Sequence, residues 1–97
     1  MKIIFENIMN KLQNEGTRKI YTHHLLKMNN NNKIKDIKFL LNYNEIFDKI
    51  EKYKYNTQKS ILYSILFLLN NINNDKYDYL YNIYLSKLIN IKTNNIL

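Results

Sequence analysis

Two short stretches carry most of the chemical information in this chain. Thr17-Arg18-Lys19-Ile20-Tyr21 and Asn56-Thr57-Gln58-Lys59-Ser60-Ile61-Leu62 share one order: a polar capping residue, basic or amide side chains, then an apolar stripe. Each reads as the entrance of a helix, with Thr17 capping the first and Asn56 or Thr57 the second. Free N–H groups and the positive end of the helix dipole attract phosphate there, and Lys, Arg, Thr and Gln are side chains that contact nucleic-acid backbone and base edges. Before the second entrance, Lys52-Tyr53-Lys54-Tyr55 alternates cation and aromatic ring. Asn56 and Gln58 could read adenine edges, and Lys59 a guanine or a phosphate. An ordinary capped helix with solvated lysines would use the same residues.

Other chemistries find less support. His23 and His24 are adjacent, so a helix points them to different sides and they cannot chelate one metal together; His24 is expected to border the core and His23 to face solvent. With no Cys there is no disulfide, thiolate site or cysteine nucleophile, which fits a reducing compartment. The carboxylates are scattered, there is no Gly-rich phosphate loop, and no Ser/His/Asp set stands out. The reading is therefore not an enzyme, with no metal and no cofactor. Of the nine tyrosines, Tyr21, Tyr77, Tyr81 and Tyr84 lie on helical stripes and are expected in the core, leaving Tyr53 and Tyr55 as the more exposed.

The elements that position these residues follow from apolar spacing. In a chain of 97 residues, enough for one modest core, there is no Pro and a single Gly, so asparagine supplies the breaks. Ile4, Phe5, Ile8, Met9 and Leu12 predict a helix over 2–14. Ile20, Tyr21, Leu25 and Met28 predict a second, ended by Asn29–Asn32. Asp36 caps a short helix with Phe39 and Leu40, and Asn44 caps the next, with Ile46, Phe47 and Ile50. Ile61, Leu62, Ile65, Leu66, Leu68 and Leu69 make a helix apolar nearly all round, hence the central one. A last helix runs from about Asp75 with Leu80, Tyr84 and Leu88. The fold class is all-α, a small orthogonal bundle of four to six helices, divided into an N-terminal helix, 1–16, suited to self-association, and a helical domain, 17–97. No apolar run approaches membrane-span length, so a soluble, intracellular protein that does not engage a membrane is expected.

Net charge is +7, concentrated as +5 over 17–38 and +3 over 49–59. An anionic partner, duplex DNA above all, fits that balance. The Ile, Asn, Lys and Tyr bias is also the codon signature of an A/T-rich genome, of a virus, protist or bacterium, which inflates lysine whatever the function.

The order of features over about 17–90 resembles the core-binding, SAM-like N-terminal domain of tyrosine recombinases and phage integrases, in the divergent form seen in large eukaryotic DNA viruses. The carrying residues are Thr17-Arg18-Lys19-Ile20-Tyr21 with Leu25, Ile37-Lys38-Phe39-Leu40 leading to Ile46 and Ile50, Asn56 to Leu62, and Tyr81 with Leu85. The resemblance implies a helical domain clamping one side of duplex DNA, non-catalytic by itself because the family's Arg/His/Arg/Tyr set belongs to a separate domain and this chain has one Arg. It would be a fragment or a stand-alone relative, acting, if viral, in the host cytoplasm, a viral factory or the nucleus. The implied contacts are Arg18, Lys19, Lys54, Thr57, Gln58 and Lys59, to which the basic segments add His23, Lys27, Lys52 and Asn56. The rival reading is a protein-interaction or oligomerisation module, possible as a homo-oligomer through the N-terminal helix, suggested by Ile3, Ile4 and Phe5 at one end and Ile89, Ile91, Ile96 and Leu97 at the other.

Overall fold

The structure is a computed structural model that describes residues 2–96, with only the backbone of Ile96; Met1 and Leu97 lie outside the described residues. Six α-helices follow in order: α1 (Phe5–Met9), α2 (Glu15–Met28), α3 (Lys38–Leu41), α4 (Tyr43–Glu51), α5 (Tyr55–Asn70) and α6 (Asp78–Ile96), with a 3-10 turn over Asp75–Tyr77 before α6. Among the described residues there is no strand, only an isolated antiparallel bridge between Lys2 and Asp36.

The centre is α5. Its Ile61, Leu62, Ile65 and Leu68 are fully enclosed, and its buried Ser64 donates its hydroxyl to the Ile61 carbonyl at 2.6 Å. Burying each such aliphatic side chain contributes about 1.5–3 kcal/mol. Helix α2 lies against one flank through Leu25 and Met28, and α6 against the other through Leu80, Tyr84 and Leu88 at helical spacing. The all-round apolar pattern thus does identify the central helix.

Direction is set by two contacts between α2 and α5 and a third between the residues just outside them. His24 Nε2 is 3.0 Å from Ser60 Oγ, the Tyr21 and Phe67 rings are 6.2 Å apart, and Lys11 Nζ reaches Asn71 Oδ1 at 3.2 Å. Moving back along α2 is moving forward along α5, so the two helices are antiparallel.

Asparagine does work as punctuation. Asn30 and Asn31 adopt φ of 56° and 61°; the Asn31 N–H returns to Leu26 O at 2.7 Å and the Asn30 N–H to Lys27 O at 3.1 Å. This is a Schellman closure with Asn where Gly is usual. From α4, Lys49 Nζ then donates to Met28 O at 3.0 Å and Asn30 Oδ1 at 2.9 Å, placing a cation at the negative end of α2.

Several boundaries differ from expectation. The helix expected over 2–14 is α1 alone, because residues 2–4 are extended: the Ile3 N–H bonds Lys35 O at 2.8 Å across the chain. Ile8 and Met9 nonetheless enter the common core. Helix α2 begins at Glu15 rather than after Thr17, because Asn14 is its cap and accepts the Thr17 N–H at 2.9 Å, so the 16/17 boundary falls inside α2. A Cβ on Gly16 would stand 3.2 Å from that Asn14 oxygen, so the chain's only glycine leaves the cap room. Helix α4 starts one residue before Asn44, with Asn42 at the cap position donating to Glu45 Oε2 at 3.0 Å. Helix α3 has Ile37 rather than Asp36 at its cap position, although the Asp36 carboxylate, one residue earlier, accepts the Lys38 N–H at 2.9 Å. Asp75 opens the 3-10 turn, and α6 proper starts three residues later.

Candidate nucleic-acid interface

The two basic helix entrances are at opposite ends of the α2–α5 pair. The antiparallel packing sets the exit of α2, not its entrance, beside the entrance of α5. From Thr17 to Lys27 is ten residues of helix, about 15 Å. Arg18 and Lys19 therefore stand apart from the remaining candidates.

Both are also engaged locally. Arg18 points Nε and Nη2 at the Leu12 carbonyl, at 3.0 and 2.6 Å, clamping the segment between α1 and α2. Lys19 forms an exposed i,i+4 pair with Glu15 at 3.3 Å, worth a few tenths of a kcal/mol.

The α5 end is different. Neither Asn56 nor Thr57 is the cap: the helix begins at Tyr55, Lys54 holds the cap position, and Thr57 stands at the third helical position, as Thr17 does in α2. At α2 the residue three before the threonine is Asn14, which has an acceptor to offer. At α5 it is Lys54, which has none, and no side chain caps the helix. The first turn of α5 also lacks an acidic residue, unlike those of α2, α4 and α6, which hold Glu15, Glu45 and Asp78. Positive dipole, uncapped amides and lysine thus coincide, an arrangement unfavourable in itself.

The antiparallel packing turns the end of α2 that carries His23 and Lys27 toward this entrance, with Lys52 and Lys54 just before it in the chain and Lys59 just inside it. Among the described residues none of these four lysines forms an ion pair; the pairs formed use Lys19, Lys49 and Lys87 instead. Lys59 Nζ lies 4.6 Å from the centre of the Tyr55 ring. The Gln58 amide donates to Tyr53 O at 2.7 Å and so holds the turn into α5. Asn56 is exposed beside it.

Sequence reasoning missed the strip next to this entrance. Tyr63, two turns beyond Tyr55, is exposed, whereas Tyr55 itself is half-buried. Lys92 of α6 sits 5.4 Å from the Tyr63 ring centre. Hydrogen bonding to Tyr63, aided by the neighbouring Tyr63 and Tyr55 phenols, raises the Lys92 ammonium above the ordinary lysine value, so it remains charged. The spacing of Tyr55, Lys59 and Tyr63 at i, i+4 and i+8 was the available signal; the partner from α6 was not visible locally.

His23 is exposed and His24 half-buried, as expected. Burial, with the neighbouring His23, lowers the His24 pKa, so at neutral pH its imidazole is uncharged against Ser60. Among the described residues no His, Asp and Glu group is positioned to hold a metal ion, and no helix is long and apolar enough to cross a membrane. Of the apolar residues suggesting self-association, Ile4 and Ile89 are exposed at 67 % and 55 %, Ile3, Phe5 and Ile91 are half-buried, and the Ile96 side chain and Leu97 lie outside the described residues. No family model, curated protein or solved structure matches the chain.

Proposed function

We propose that this chain is a non-catalytic helical module that binds duplex DNA by its phosphate backbone at the α5 entrance. The observation that carries the reading is the conflict there: a 16-residue helix starts with Lys54 at its cap and no acid in its first turn, and lysines 27, 52, 54 and 59 form no ion pair among the described residues. A phosphate would supply the missing acceptor and the missing negative charge together. His23 and Thr57 flank that point, and Asn56 is the side chain placed to meet a base edge. Arg18, Lys19 and Gln58 have other partners and take no part in this version of the interface. The SAM-like character and the kinship with recombinase core-binding domains, including those of large DNA viruses, belong to the same proposal, as does an intracellular setting beside viral or cellular DNA.

The test is fluorescence anisotropy with a random ~20-bp duplex across a salt series; about four phosphate contacts give a log–log slope near −3.6. Lys54→Glu with Lys59→Glu abolishes binding while the helical circular dichroism is kept. Absence of binding at low salt overturns the reading.

The second reading, a protein-interaction module, is favoured by exposed Ile20, Tyr63 and Ile89, one from each of the three long helices. It predicts that charge reversal at Lys54 and Lys59 changes little, while Ile89→Glu changes the oligomeric state.

A further inference from the structure

The flank of α2 turned away from His24 and α5 borders a cleft of about 710 Å³. Its walls are the extended residues 2–4, α1, the Arg18–Thr22–Leu26 stripe of α2 and the loop 33–35. The apolar lining comes from Ile3, Ile4, Phe5 and Leu26, with the nearly buried Met9 and Ile34 at its floor. Met9 and Ile34 also belong to the core, so this lining is anchored rather than loose.

The charged lining is mostly basic. Lys2, Arg18, Lys33 and Lys35 face the cleft against a single acid, Glu6. Among the described residues, Lys2, Lys33 and Lys35 form no ion pair. Arg18 is held in place by its two hydrogen bonds to Leu12 O, and its Nη1 group has no protein acceptor among the described residues. A guanidinium fixed in this way is suited to a carboxylate, which it can meet through parallel N–H groups. A second copy of this chain, itself at +7, is a poor complement to such a rim.

We infer that this cleft binds a single-chain amphiphilic carboxylate, a fatty-acid anion, with its hydrocarbon against Phe5, Met9, Leu26 and Ile34 and its carboxylate at the Arg18 and lysine rim. The volume falls in the range of about 300–1,000 Å³ that holds one small ligand. An amphipathic peptide helix of three turns, about 16 Å long and 10 Å across, would overfill it. Free phosphate would leave the apolar lining wet.

Isothermal titration of the full chain with sodium dodecanoate below its micelle threshold, with methyl NMR in parallel, tests the inference. The expected result is saturable binding near one per chain, with shifts confined to the methyls of Ile3, Ile4, Met9, Leu26 and Ile34. Affinity falls at least tenfold for dodecanol and for Lys33→Glu with Lys35→Glu, both exposed positions whose reversal leaves the core untouched. Lys54→Glu with Lys59→Glu, on the DNA-facing side, leaves dodecanoate affinity unchanged. Non-saturable binding, equal affinity for dodecanol, methyl shifts centred on Ile20 or Ile89, or an equal loss in the Lys54/Lys59 variant each overturn it. So does binding of an acidic leucine-rich peptide without binding of dodecanoate, which would assign the cleft to a protein partner.

Discussion

Tyr84 Oη donates a 2.7 Å hydrogen bond to the Leu40 carbonyl across 44 residues of chain, and both residues are completely buried. The bond joins α6 to the short α3. Beside it the Phe47 ring of α4 meets the Tyr84 ring edge-on at 5.4 Å, so three helices converge on one phenol. Tyr84→Phe keeps the ring but leaves the Leu40 oxygen buried without a donor. We expect a loss of about 1–3 kcal/mol. At about 4–8 °C per kcal/mol for a domain of this size, thermal circular dichroism resolves it. Burial also pushes the Tyr84 phenol far above its ordinary value of 10.0. A folded-state pKa above the unfolded one contributes stability that is whole below pH 10 and declines as pH rises beyond it, because only the unfolded chain then releases the proton. Wild type should lose stability in that alkaline range more steeply than Tyr84→Phe does.

The entrance of α2 distinguishes the true cap from the one that its sequence suggests. Asn14→Ala removes the acceptor of the Thr17 N–H and should cost about 1 kcal/mol. Thr17→Ala leaves that hydrogen bond in place and should cost clearly less. Urea denaturation of the two variants gives the comparison, and equal losses would contradict the placement of the cap.

Arg18 and Lys54 should fail in different ways. Arg18→Ala withdraws both donors from Leu12 O and should destabilise the fold by about 1–2 kcal/mol, with the salt slope of DNA binding unchanged. Lys54→Glu should keep or raise the melting temperature, since it puts an acid in place of a cation at the positive helix end, and remove DNA affinity. A loss of DNA affinity in Arg18→Lys, with its fold intact, would instead return the α2 entrance to the interface.

His24 gives a pH dependence of the opposite sign to that of Tyr84. Burial and the adjacent His23 place its folded-state pKa below the ordinary 6.5. The stabilising contribution is therefore present above pH 6.5 and is lost as pH falls through the folded pKa, where the unfolded chain binds the proton more readily. Melting temperature should drop on going from pH 7 to pH 5, and His24→Gln, still able to meet Ser60, should flatten that drop. His23→Gln should leave most of it.

Much of the scaffold was legible in the residues alone. The apolar stripes of α2, α5 and α6 appear because a helix repeats every 3.6 residues and must bury one face, a property of each segment by itself. Asparagine at 29–32 announced a break for a local reason as well, since Asn tolerates the left-handed backbone that closes α2. The partition of His23 from His24 followed from the same periodicity. Caps were harder: Thr17 and Thr57 have the right chemistry, but Asn14 and Lys54 occupy the position, and the choice between registers three residues apart depends on where the preceding chain comes from.

Which helix end meets which was not in the segments at all. It rests on contacts such as His24 with Ser60 and Tyr21 with Phe67, which join residues far apart in the chain. Those contacts turn α2 and α5 antiparallel, separate two entrances that look alike in sequence, and turn the Lys27 end of α2 toward the one where Lys54 leaves the helix uncapped. They also place Arg18 on the other flank, between a carbonyl that it holds and a basic cleft that it helps to line. Periodicity determines which residues a helix buries; the long-range packing of those buried faces alone decides which exposed charges become neighbours.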